Sequence, residues 1–257
     1  MEITFLGTGT SMGVPVAGGF GFDEQKNDPR NQRYRTSAWV KTEESSILID
    51  TSPEFRLQTI RAGIKQIDLV LITHEHMDHT AGLDDLRIYN YVQDDTIPLY
   101  TKKRTADAIK RRFDYMFGPD KYPGAVSVDI NYITKPLQFR DCLITPLRVY
   151  HGKLEILGFR INDFTYITDV KALPEETMEQ VKGSKKMVLG GLRWAPKHPT
   201  HLTIPEAAKI AGKLQIPETY LVHMNTYVEH GEVENKLLDE FKDTNVHLAY
   251  DQLSIRV

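Results

Sequence analysis

His74-Glu75-His76-Met77-Asp78-His79 gathers three imidazoles and an aspartate into six residues, directly after the apolar run Leu69-Val70-Leu71-Ile72. A run this short and this rich in branched side chains reads as a buried strand. Imidazole and carboxylate donors suit zinc, manganese and iron. In extended chain, positions two apart face the same way, so His74 and His76 can grip one ion together. Asp78 and His79 follow where the chain turns toward a helix predicted from Gly82 to Val92, and can face a second ion. A solvated turn has no use for so many titratable groups at one strand end.

Working outward, the same kind of run recurs at Ile3–Leu6, Ile47-Leu48-Ile49, Phe164-Thr165-Tyr166-Ile167, Met187-Val188-Leu189 and Tyr220-Leu221-Val222. Helical patterns lie between them, one from Pro174 to Val181. Another opens at Thr203-Ile204-Pro205-Glu206, a capping box with proline in the first turn, and runs to about Leu214. Strands alternating with helices, with no linker or repeat, predict one α/β domain over residues 1–257. Four runs end in Asp or His. Asp50 follows Ile49, His74 follows Ile72-Thr73, Asp169 follows Ile167-Thr168, and His223 follows Val222. Functional groups of open α/β sheets collect at the carboxyl ends of strands, so these four should converge. His151 follows Leu147-Arg148-Val149-Tyr150 and precedes Gly152, which lets the backbone turn. A lone histidine beside a strand is usually structural. His151, Asp169 and His223 read as ligands only in company with the six-residue element.

The chain has 257 residues, 40% hydrophobic, with a formal net charge of -3. That length can bury a sizeable core, and that charge provides no global field to recruit nucleic acid or an anionic membrane. Met1–Gly7 does not read as a secretory signal, and no apolar run approaches the roughly 20 residues of a membrane span. Cys142 is the only cysteine, which excludes an internal disulfide and a thiolate zinc cluster. It reads as a buried, apolar-like residue. A cytoplasmic location is expected. Gly7-Thr8-Gly9-Thr10-Ser11 misplaces its third glycine for dinucleotide binding, and no G-x-S-x-G nucleophile element occurs.

His74-x-His76-x-Asp78-His79, with His151, Asp169 and His223 downstream, resembles the metallo-β-lactamase superfamily over nearly the whole chain. Phe5-Leu6-Gly7-Thr8-Gly9-Thr10-Ser11, Gly13-Val14-Pro15, Asp28-Pro29-Arg30-Asn31 and Arg33-Tyr34-Arg35-Thr36-Ser37 are similar to one branch of it. That branch contains phosphoribosyl cyclic phosphodiesterase, the carbon–phosphorus lyase accessory enzyme, and more distantly transfer-RNA 3′-processing nuclease. The resemblance implies a four-layer αββα sandwich with two divalent ions, zinc or manganese with iron admitted, between the sheets. It implies that His74, His76 and His151 hold one ion, that Asp78, His79 and His223 hold the other, and that Asp169 bridges. Asp50 matches a carboxylate that orients a ligand histidine. His201 matches the branch's catalytic, non-ligand histidine; His198 is the neighbouring alternative. The resemblance also admits a homodimer.

The chain departs from the branch where relatives often hold a separate structural zinc. The three cysteine positions fall at about Gly19, Gly21 and Glu24, and the histidine position at Thr226. No structural zinc is expected, His230 is expected on the surface, and nothing readable holds residues 16–32 in the zinc's place.

A two-metal site of this kind clamps an in-line displacement, with water between the ions as nucleophile. Asp78 would orient that water and accept its proton; His201 would serve the leaving oxygen. Lys26, Arg30, Arg33 and Arg35 suit a phosphate, as does the helix N-terminus at Thr203. Lys102-Lys103-Arg104 and Lys110-Arg111-Arg112 read as a solvated helix face. The expected activity is a phosphodiesterase on a small cyclic phosphate or nucleotide-like diester. The alternatives are an RNA-end nuclease, a thioester or lactone hydrolase, and a catalytically silent binding protein. The charge of -3, and the lack of a basic Gly/Pro-rich arm, argue against long nucleic acid.

Overall fold

The apolar runs become strands because each is covered on both faces. In the computed structural model, which describes residues 1–20, 27–118, 121–122 and 124–257, every residue of Ser46–Ile49 and Phe164–Ile167 is buried. Strands with both faces covered read as continuous apolar stretches rather than alternating ones.

The first sheet contains β1 (Glu2–Gly7), β2 (Ser37–Lys41), β3 (Ser46–Ile49), β4 (Leu69–Leu71), β5 (Ile97–Thr101) and β6 (Val128–Tyr132). The second contains β7 (Leu137–Phe139), β8 (Cys142–His151), β9 (Leu154–Ile161), β10 (Phe164–Ile167), β11 (Lys186–Gly190), β12 (Glu218–Val222) and β13 (Val246–Leu248). The last strand, β14 (Ser254–Arg256), returns to the first sheet beside β1. The orders are β14-β1-β2-β3-β4-β5-β6 and β13-β12-β11-β10-β9-β8-β7. Strands β3 to β6 run parallel, as do β10 to β13, so within each group the carboxyl ends share an edge.

A core shared by both sheets lies between them, with Phe5, Ile49 and Leu71 from one and Ile144, Phe159 and Val222 from the other. Helices α1 (Phe55–Ala62), α3 (Arg87–Gln93) and α4 (Lys103–Arg112) cover the outer face of the first sheet. Helices α5 (Glu175–Val181), α6 (Ile204–Leu214) and α7 (His230–Glu240) cover the second. A one-turn helix, α2 (Met77–Thr80), carries Asp78 and His79. These layers are the expected αββα sandwich. Burial of each large apolar side chain contributes about 1.5–3 kcal/mol.

Two local expectations meet the structure differently. Thr203 caps α6 as a full capping box, its hydroxyl accepting from Glu206 N at 3.3 Å while its own N–H donates to the Glu206 carboxylate at 2.9 Å. The helix predicted from Gly82 to Val92 instead opens as a 3-10 turn, Ala81–Leu86, before α3 begins. The cause is close approach: a Cβ on Gly82 would lie 2.3 Å from Ser52 O and 2.5 Å from Phe55 Cβ. Cys142 is buried, and burial pushes its thiol up to about 11. Among the described residues, no helix is long and apolar enough to cross a membrane.

Candidate metal centre

Three of the four strand ends singled out in the sequence turn through the left-handed region: Asp50 at φ 61°, Asp169 at φ 49° and His223 at φ 65°. Non-glycine residues rarely sit there, and each costs on the order of 1–3 kcal/mol unless its surroundings hold it. These turns place the three residues at one edge with His74. Asp50, His74, His79, Asp169 and His223 are all buried there.

The hydrogen bonds assign the ring protons. Asp50 accepts from Thr73 N at 2.8 Å and from the Thr73 hydroxyl at 2.9 Å. With its proton committed to Asp50, the Thr73 hydroxyl can only accept from His74 Nδ1, 3.0 Å away. His79 Nδ1 lies 2.7 Å from Oδ2 of the same carboxylate and must donate to it. His151 Nδ1 donates to Thr200 O at 2.9 Å. In each of these three rings the outer nitrogen carries a proton, so in the neutral ring Nε2 is a bare lone pair. Asp50 thereby sets the tautomer of two rings, one directly and one through Thr73.

Those lone pairs face other acceptors. His79 Nε2 is buried without a hydrogen bond, yet lies 3.1 Å from Asp78 Oδ2 and 3.3 Å from Asp169 Oδ1. His223 Nδ1 lies 3.0 Å from the same Asp169 oxygen. The other oxygen of Asp169 is 3.9 Å from His74 Nε2, which in turn is 2.9 Å from His76 Nδ1. Two sets of donor atoms each fall within 4.8 Å of one another: Asp78, His79, Asp169 and His223, and His74, His76 and Asp169. Asp169 belongs to both and turns one oxygen to each. Acceptors crowded against acceptors repel unless a cation lies among them, so this donor set fits divalent ions. A third set joins His151, Asp169 and His201. The four residues of the first set are buried, whereas His76 is exposed and His151 half-buried. The centre therefore opens to solvent on the side of His76 and His151.

His201 and His198 separate by position. The His201 ring stacks on His223 with centroids 4.9 Å apart and lies 4.6 Å from His151. Burial, with His223 beside it, holds its pKa down to about 3, so the ring is neutral. His198 sits outside it, its Nδ1 accepting from Thr200 N and facing the Thr200 hydroxyl.

One support escaped the sequence reading. Arg104 Nε bonds Glu75 Oε1 at 2.6 Å, the Thr105 hydroxyl bonds Glu75 Oε2 at 3.0 Å, and Arg112 Nη1 reaches both Glu75 O and the Thr80 hydroxyl. The basic face is exposed at Lys103, Arg104, Lys110, Arg111 and Arg112, as expected, and two of these, Arg104 and Arg112, also hold the metal loop from α4. The signal was present: Glu75 is the one acid of the six-residue element without a ligand role, and helix periodicity puts Arg104, Thr105 and Arg112 along one side of α4.

The phosphate-binding expectations fare worse. Arg33 is buried and donates to Thr8 Oγ1, Ala249 O and His230 Nδ1. Arg30 is clasped by Asp28 at 2.6 Å, and Arg35 pairs with Glu54. Lys26 lies outside the described residues. The first N–H groups of α6 are engaged as well, with Ile204 N on Arg193 O and Glu206 N on Thr203. A guanidinium is drawn to whatever acceptor the fold places nearest, and here these are internal. His230 is buried rather than at the surface, because its N–H is needed by Asn31 and its ring by Arg33. Asn31 bonds Glu229 in turn. These contacts tie residues 31 and 33 to the start of α7. Gly19 and Thr226, at two positions of the relatives' structural zinc, lie within the described residues; Gly21 and Glu24 do not.

Comparison with known proteins agrees with this geometry. A family model described as the beta-lactamase superfamily domain matches residues 45–224. The octanoyltransferase of Porphyromonas gingivalis (strain ATCC BAA-308 / W83) is 36% identical over 256 residues, covering 98% of this chain and 51% of that protein. The chain thus spans about half the length of that curated relative. The crystal structure of a diphosphatase from the PhnP family superposes with a TM-score of 0.89 at 33% identity, covering 100% of this chain and 97% of the other. The short form of human tRNase Z gives a TM-score of 0.72 at 17% identity, covering 100% and 99%, a likeness of fold. By sequence, by fold and by the match over residues 45–224, this chain belongs to the metallo-β-lactamase superfamily, in the branch of the PhnP family.

Proposed function

We propose that the chain is a metal-dependent hydrolase that cleaves a small phosphodiester, a cyclic phosphate or a nucleotide-like diester. Family membership and the His/Asp cluster support metal-dependent hydrolysis as the class of reaction. The observation that carries the proposal is the convergence of the bare Nε2 atoms of His74 and His79 with the carboxylates of Asp78 and Asp169. His74, His76, His151 and Asp169 would hold one ion; Asp78, His79, His223 and Asp169 would hold the other. When bound, the ions would neutralise phosphoryl oxygens and activate water.

The chain's own residues supply the rest. As a ligand Asp78 must be ionised, and in that form its carboxylate would orient the attacking water as an acceptor. Neutral His201 has an N–H to donate to the leaving oxygen as charge develops on it. With the nearby arginines committed elsewhere, charge recognition of the phosphate falls to the metals, which favours a small substrate over a long polyanion.

A second reading has its own support: the 33% identical relative is a diphosphatase. In that reading the bond cleaved is the phosphoanhydride of a nucleotide-like diphosphate, with the same residues in the same roles. The octanoyltransferase activity of the Porphyromonas relative belongs to a protein about twice as long and is not carried over.

The test uses metal-stripped protein reconstituted with zinc or manganese, with metal content measured. It is assayed on bis(p-nitrophenyl) phosphate and on a nucleoside diphosphate ester. Turnover should require metal, vanish in Asp78→Ala and fall roughly 10²–10⁴-fold in His201→Ala. Preference for the diphosphate ester would select the second reading. No turnover of either with two ions bound would overturn both and bring thioesters, lactones or a silent binding role forward.

A further inference from the structure

His201 stands on the loop, residues 191–203, that joins β11 to α6. Loops are the mobile part of such a scaffold, yet a group that serves the reacting atoms must be held to within about 0.5 Å of its working place. Three consecutive loop residues are tied down. Thr200 O accepts from His151 Nδ1 at 2.9 Å, and His201 O accepts from Lys171 Nζ at 3.3 Å. Leu202 N donates to Val170 O at 2.7 Å. Every tether leads back to the metal centre, since His151 lies in its donor set and Val170 and Lys171 directly follow Asp169. The first tether belongs to a ligand and the third to the main chain. The Lys171 ammonium is neither.

Lys171 is itself held in place. Its backbone N–H donates to Tyr150 O at 2.7 Å. Its ammonium lies 3.3 Å from Glu206 Oε2, the oxygen that also accepts from Thr203 N at 2.9 Å in the capping box of α6. An ammonium has three donors, so the carbonyl and the carboxylate do not compete for it. Lys171 and Glu206 are each only 26% exposed, which favours a defined geometry over a loose surface pair. Lys197, by contrast, is 84% exposed and 3.9 Å from the other Glu206 oxygen. One side chain thus joins the strand end of Asp169, the His201 carbonyl and the first turn of α6.

We infer that Lys171 is a positioning residue for His201. Its ammonium fixes the backbone from which the His201 ring stacks on His223 and sits beside His151. The inference rests on the role of His201 at the leaving oxygen given above. Loss of Lys171 should therefore act on kcat rather than KM, because that N–H is used only as charge develops in the transition state.

Zinc-reconstituted protein tests this on bis(p-nitrophenyl) phosphate and diphenyl phosphate. Lys171→Met keeps the apolar stem and removes the donor. Its kcat should fall about 10–100-fold, with KM and metal content unchanged. The loss should be larger on diphenyl phosphate, whose more basic phenolate depends more on a proton donor. Lys171→Arg should restore most of the activity. In a His201→Ala background, Lys171→Met should cost nothing further. An additional loss in that background, with His201→Ala itself impaired, overturns the positioning role alone, as does a rise in KM only or an equal loss on both diesters. A fully active His201→Ala overturns the role of His201 and this inference together. Ring cross-peaks of 15N-histidine-labelled protein provide a readout free of turnover. Those of His201 should shift and broaden in Lys171→Met and return in Lys171→Arg, while those of His230 stay in place. Unmoved His201 cross-peaks overturn the inference even if neither diester is a substrate.

Discussion

The molecule buries two clusters of ionisable groups, and they are built on opposite principles. In the cluster around Arg33, donors meet acceptors. Arg33 donates to the Thr8 hydroxyl, which donates to Asp251, while Arg33 also donates to His230 Nδ1 and Ala249 O. Among the described residues of this cluster, Arg33 Nε alone lacks a partner. Around Asp169, acceptors meet acceptors: the bare Nε2 atoms of His74 and His79 face carboxylate oxygens at 3.1–3.9 Å. The first cluster neutralises itself and holds the chain together. The second needs positive charge from outside. Backbone geometry follows the same division, since Asp50, Asp169 and His223 take left-handed conformations and Arg33 and His230 do not. Burial of charged residue types therefore does not mark a ligand site by itself; the pairing of their polarities does.

The contrast can be broken from the structural side. Arg33→Met should destabilise the fold by about 3–5 kcal/mol, because it leaves the partner charge at Asp251 uncompensated. Metal affinity, measured against a competing chelator on the folded fraction, should not change. A loss of metal affinity matching the loss of stability would mean that the two clusters are one unit.

A pH series sharpens it. Burial raises Asp251 to about 6 and lowers His230 to about 4. A raised carboxyl costs stability as pH climbs from about 4 through 6, because the folded state holds the proton that the unfolded state releases. A lowered imidazole costs stability as pH falls from 6.5 through about 4, because the unfolded state takes up the proton first. The two slopes oppose, so this cluster's contribution is nearly flat across that window. Asp251→Asn leaves the histidine alone. Relative to the wild type, its stability should then fall by at most about 3 kcal/mol between pH 6.5 and 4, before solvent screening is allowed for. Parallel denaturation curves for the two proteins would remove the balance inferred here.

On the metal side, Asp50→Asn should lower affinity roughly 10–100-fold by releasing the tautomers of His74 and His79. Because Asp50 reaches both rings, both ions should weaken in a calorimetric titration. Weakening of one alone would separate Thr73 from the chain of bonds. The smallest effect belongs to Arg112→Ala, which loses two bonds from one exposed helix face to the metal loop. A few-fold loss in kcat/KM with unchanged metal content is expected, on the order of 1 kcal/mol.

Much of this was legible in the amino-acid order. Leu69–Ile72 and the five other runs announced strands because period and length are local properties. The strand-end positions of Asp50, His74, Asp169 and His223 announced a shared edge because parallel strands align their carboxyl ends. The capping box at Thr203 was equally local. What failed was the assignment of partners. Arg30, Arg33 and Arg35 look alike in sequence, yet Asp28, Thr8, Ala249, His230 and Glu54 claim them from elsewhere in the fold.

The order of residues therefore determined the layers and the chemical identity of the donor set. Only the tertiary structure decided which nitrogen of each histidine is bare, which arginines are spent, and why His230 is buried. Periodicity and capping act within a few residues. A proton's place on an imidazole depends on a distant acceptor, as His79 depends on Asp50, 29 residues away, and that acceptor arrives only when the sheets close.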